Sequence, residues 1–77
     1  MNNIRDKMRD FENSIKDFIK NHPNVTAASF PFKDYKSLNE TLYNIHIEMS
    51  SKNSGINLEE GINWFREQIK KLTDFLP

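Results

Sequence analysis

Leu38–Ser50 reads LNETLYNIHIEMS, and the period assigned to it decides the fold. Taken two by two, Thr41, Tyr43, Ile45, Ile47 and Met49 fall on one face. Leu42, Asn44, His46 and Glu48 fall on the other. That alternation predicts a strand over 38–50, with one face packed and one wet, as in an antiparallel pair. Its partner is NVTAASFPF, residues 24–32. Val25, Thr26 and Phe30 favour extension, and Ala27, Ala28 and Ser29 let a helix lie close. Pro31 cannot donate a ladder bond, so this strand is expected to lie at an edge or to end there, with KDYKS (33–37) as the turn or loop that follows.

Working outward, both ends read as helices. From about Asn3 to Lys20, the residues Ile4, Met8, Phe11, Ile15 and Phe18 advance by 4, 3, 4 and 3, a heptad seam. Asn2 or Asn3 caps the start, Asp6 suits the first turn and Lys20 the last. Pro23 turns His22 away from the helical conformation. At the other end, SKNSG (51–55) is a loop, and Asn57 followed by Glu60 resembles a capping box. Beyond it Leu58, Ile62, Phe65, Ile69, Leu72 and Leu76 form a second seam. Trp64 and Phe75 fall just beside that seam, with Gly61 and Gln68 between.

The expected fold is therefore α+β: one domain over residues 1–77 in the order α-β-β-α, two terminal amphipathic helices covering one face of an antiparallel hairpin. A chain of 77 residues buries a modest fraction of its surface, and with no cysteine it has no disulfide to add. A two-stranded sheet is marginal by itself. Completion by a homodimer is expected, through the edge strand, the seam helices or both.

Eleven Lys plus Arg balance eleven Asp plus Glu, so no long-range field draws nucleic acid or an anionic membrane. No apolar run approaches a membrane span. The opening MNNIRDKMRDF alternates charge without an apolar h-region, so no export signal is expected and the cytoplasm is the expected location. The richness in Asn, Lys and Ile fits an AT-rich bacterial or phage genome.

Motifs for chemistry are sparse. His46 and Glu48 share a strand face in this reading, and with Glu40 they make a thin ligand set that lacks a full coordination sphere. Glu59 and Glu60 sit at a helix N-terminus, where the dipole keeps them ionised, the opposite of what a general acid needs. Both glycines, Gly55 and Gly61, lie outside any phosphate-binding pattern. No enzyme is expected, and no catalytic, cofactor or metal residue is assigned.

The primary expectation is a small protein-binding regulator or inhibitor, of the immunity-protein or phage anti-defence kind. Its candidate contacts are Lys33, Tyr35, Lys36, Asn44, His46, Glu48 and Trp64. The first alternative is a nucleic-acid-binding module. In FPFKDYK (30–36), Phe30, Phe32 and Tyr35 alternate with Lys33 and Lys36, as in stacking platforms for single strands, although Asp34 interrupts the basic character. The second alternative is a metal site at His46 and Glu48. Trp64 has two readings: filler of a helix–helix crevice or dimer interface, or anchor for a different protein.

Overall fold

The computed structural model describes residues 3–77, and within them the chain is all helix. Three helices of 18 residues follow one another: α1 over Ile4–Asn21, α2 over Phe32–Met49 and α3 over Leu58–Phe75. Each packs against the other two. There is no strand among the described residues, so the expected α+β hairpin is replaced by a three-helix domain.

The correction rests on Leu38–Ser50. Read with helical spacing, Tyr35, Leu38, Leu42, Ile45 and Met49 advance by 3, 4, 3 and 4, a third seam hidden beneath the alternation. Leu42, Ile45 and Met49 of that seam are buried, and Tyr35 and Leu38 pack against them. Thr41, Tyr43 and Ile47, assigned to the packed face of a strand, are exposed. A 13-residue strand would also exceed the usual 3–10, whereas 18 residues free of Gly and Pro make an ordinary helix. Pro31 occupies the N-cap position and its carbonyl accepts from Tyr35 N–H at 3.0 Å, so the residue expected to end a strand opens a helix.

The segment expected as the other strand, 24–32, has no neighbouring strand to pair with and closes on itself. Thr26 N–H donates to Ser29 Oγ at 3.1 Å, and Ser29 N–H donates to the Thr26 carbonyl at 3.2 Å. Side-chain bonds of this kind give the backbone an alternative to a ladder. Pro23 and Pro31 bracket the turn.

The terminal helices follow their sequence signals more closely. The Asn3 side chain accepts from Asp6 N–H at 2.9 Å and caps α1; Asn2, the other candidate, lies outside the described residues. All five seam residues of α1 are buried. Asn57 caps α3 by accepting from Glu60 N–H at 2.8 Å. The reciprocal half of a capping box is replaced, because the Glu60 carboxylate turns to Arg5 of α1. The loop between α2 and α3 uses Gly55 at φ 78°, a left-handed conformation that suits glycine.

The core joins Ile4, Met8, Phe11 and Ile15 of α1 to Leu42, Ile45 and Met49 of α2 and Leu72 of α3. In α3 the inward line is rotated from the expected seam. Gly61, Gln68 and Leu72 are buried, with Trp64, Phe65 and Phe75 half-buried, while Leu58 and Ile62 remain outside.

Candidate functional site

The helices separate the residues that alternation had grouped. His46 and Glu48 are two positions apart, which on a helix is about 200°. His46 turns toward α3, its ring centroid 4.3 Å from that of Phe65. Glu48 turns toward α1, where it accepts from Lys7 Nζ at 2.7 Å. Asn44 shares the α1 side, lining an open groove with Lys7, Asp10 and Glu48. His46 and Glu48 therefore cannot serve one metal ion. No group of three or more His, Cys, Asp or Glu placed to hold a metal occurs among the described residues.

Trp64 faces α1. Its ring meets Phe11 edge-on at 5.9 Å, and its Nε1 donates to Glu12 Oε2 at 3.1 Å. Tyr35 is drawn into an aromatic cluster with Phe18, Phe30 and Phe75, and its hydroxyl donates to the Leu72 carbonyl at 2.9 Å. Partial burial pushes its hydroxyl pKa above the usual tyrosine value. Lys33 and Lys36 are exposed.

What the structure brings together is a different surface. Among the described residues seven large apolar side chains are exposed: Ile19, Phe32, Tyr43, Ile47, Leu58, Ile62 and Leu76. All but Ile19 belong to α2, α3 or the C-cap of α3. The two helices run antiparallel: Tyr35 reaches Leu72, Tyr43 and His46 meet Phe65, and Met49 lines a small hole with Gly61. Helical spacing then sets Ile47 beside Ile62, with Tyr43 and Leu58 flanking them along the helices, on the side turned from α1. Leu58 is 79% exposed, Phe32 72% and Ile47 68%.

One end of this face is an open groove of about 500 Å³ among Phe30, Phe32, Tyr35, Lys36, Asn39 and Leu76. The other end holds a hole of about 30 Å³ beneath His46, Met49, Leu58 and Ile62. Between them stand Glu40 on α2 and Arg66 on α3, both exposed. The ion pairs among the described residues are Arg5–Glu60, Lys7–Glu48, Arg9–Asp6 and Lys70–Asp74, so Glu40 and Arg66 have no ion-pair partner among them.

Of the residues singled out from sequence, His46 and Lys36 border this face, Tyr35 forms part of its groove, and Asn44, Glu48 and Trp64 lie on the α1 side. Tyr43, Ile47, Leu58, Ile62 and Leu76 are absent from that set, and Phe32 entered it only as a stacking ring for nucleic acid. The signal for them is a second apolar line on α2, Tyr43 and Ile47, outside the seam Leu38–Leu42–Ile45–Met49.

No family model, curated protein or solved structure matches the chain. No helix among the described residues is long and apolar enough to cross a membrane.

Proposed function

We propose that this chain is a non-enzymatic, cytoplasmic protein-binding regulator of the inhibitor or immunity-protein kind, and that it docks through the outer face of α2 and α3. One observation carries the reading: six of the seven exposed large apolar side chains share that face. Isolated exposed apolar residues are ordinary, but two apolar clusters on one face of paired helices mark an interaction surface. Full burial of each such side chain is worth about 1.5–3 kcal/mol, so a partner covering several gains enough for stable binding.

The charge pattern favours a protein partner over nucleic acid. Of the three aromatics in FPFKDYK, Tyr35 and Phe30 are engaged in the cluster with Phe75, which leaves Phe32 as the exposed ring beside Lys33 and Lys36. A stacking platform uses successive rings on a basic track.

The test compares affinity capture by the wild type with capture by Ile47→Asp and Leu58→Asp, under nuclease treatment. The expected result is a protein retained by the wild type and lost from both variants, with helical content by circular dichroism unchanged because both positions are exposed in the single chain. Capture unaffected by either variant, or abolished by nuclease and by Lys33→Ala/Lys36→Ala, would overturn the reading.

A further inference from the structure

Resting on that reading of the α2–α3 face, we infer that the free chain covers it with a second copy of itself, two-fold related, forming a central bundle of four helices. Two 18-residue helices, each about 27 Å long and set about 9 Å apart, present roughly 500 Å² in projection and more in accessible area. That approaches the ~800 Å² each partner contributes to a standard interface.

Charge complementarity selects the occupant and its orientation. Glu40 lies near the middle of α2. The antiparallel register that pairs Tyr43 with Phe65 sets Arg66 at nearly the same height on α3. A two-fold axis parallel to the helices lays α2 over α3 of the second copy and preserves height. Glu40 then meets Arg66 of the second copy, twice over by symmetry. The same operation brings the Phe32 end onto Leu76 of the copy. It also seats Ile47 of the copy over the hole between Leu58 and Ile62, a knob above a hole. The other face-to-face two-fold, perpendicular to the helices, would stack α2 on itself and set Glu40 against Glu40. Apolar ends thus match apolar ends, and Glu40 and Arg66 are neutralised in one arrangement only. A different protein bound at this face would have to displace the copy.

The experiment is sedimentation equilibrium and native mass spectrometry on the wild type, Glu40→Arg, Arg66→Glu and an equal mixture of the two variants. The wild type is expected to be a dimer. Each reversal sets like charges opposite each other at two places and should weaken dimerisation about tenfold or more. A dimer containing one copy of each variant has opposite charges at both places. At one place the two substituted side chains face each other with their signs exchanged, and at the other the unsubstituted Glu40 and Arg66 meet. That mixed dimer should therefore return. Circular dichroism melts of these surface variants separate lost association from lost folding, and Ile47→Asp supplies a route to the monomer that leaves the Glu40–Arg66 pairs untouched. A monomeric wild type, a dimer indifferent to the reversals and to Ile47→Asp, or a mixture that stays monomeric would each overturn the inference. If the wild type is monomeric yet Ile47→Asp still loses its captured protein, only the self-association fails. If capture is also unaffected, the reading of the face fails with it.

Discussion

Trp64 Nε1 donates to Glu12 Oε2 at 3.1 Å while the indole and Phe11 meet edge to face, so the single tryptophan ties α3 to α1 from within the chain. Trp64→Ala removes both the ring contact and the hydrogen bond and should cost about 2–4 kcal/mol, because Trp64 is half-buried. Trp64→Phe keeps most of the apolar contact and should cost less. Urea denaturation followed by circular dichroism gives both values. A Trp64→Ala variant as stable as the wild type would show that the indole contributes no packing.

Gln68 lies in the core at 1% exposure, and neither its Nε2 nor its Oε1 has a hydrogen-bond partner among the described residues. A buried amide without partners loses its hydration uncompensated. Gln68→Met keeps the volume and removes that loss, so stability should rise by about 1–2 kcal/mol, with a melting temperature higher by roughly 4–8 °C per kcal/mol at this size. A thermal melt decides the sign. A destabilised Gln68→Met would mean the amide is satisfied in solution, by water or by another chain.

The legible parts of this fold are those with one period. Ile4, Met8, Phe11, Ile15 and Phe18 match only a helix, and all five are buried. Asn3 and Asn57 cap as their side-chain chemistry dictates. Leu38–Ser50 carries two periods at once, because Ile45 and Met49 belong to both the alternating set and the heptad set. Isoleucine and threonine tip the local preference toward extension, but burial of Leu42 decides the outcome through packing. In α3 the expected seam lies one flank away from the true inward line. Gly61 and Gln68 lie between the seam and Trp64, and apolar periodicity passes over them because neither is apolar in the usual sense. That small rotation leaves Leu58 and Ile62 outside, and with them the face that forms the candidate site.

Ile45 and Ile47 separate the two periods experimentally. They share a face in a strand, but in α2 Ile45 is 5% exposed and Ile47 68%. Ile45→Ala should cost about 2–5 kcal/mol, whereas Ile47→Ala should change stability of the dissociated chain by no more than about 0.5 kcal/mol. Denaturation at low protein concentration gives both. Equal losses at the two positions would contradict the helical register.

Arg5 and Glu60 join α1 to the first turn of α3 through two bonds, Nη1 to Oε2 at 2.8 Å and Nη2 to Oε1 at 3.2 Å. The hydrogen bond from Arg5 holds the Glu60 carboxyl below its ordinary value of 4.5, and the guanidinium is raised in turn. A carboxyl depressed in the folded state adds stability that is fully present above pH 4.5 and is lost as pH falls through the folded value. The melting-temperature difference between the wild type and Glu60→Gln should therefore be constant from neutral pH down to about 5, and shrink below it. High salt should reduce the same difference, because the pair is solvent-exposed. An NMR titration of the Glu60 carboxyl carbon supplies the direct check, with its midpoint moving up toward the ordinary range in Arg5→Met. A midpoint unmoved by that substitution would show that the two side chains do not hold each other in solution.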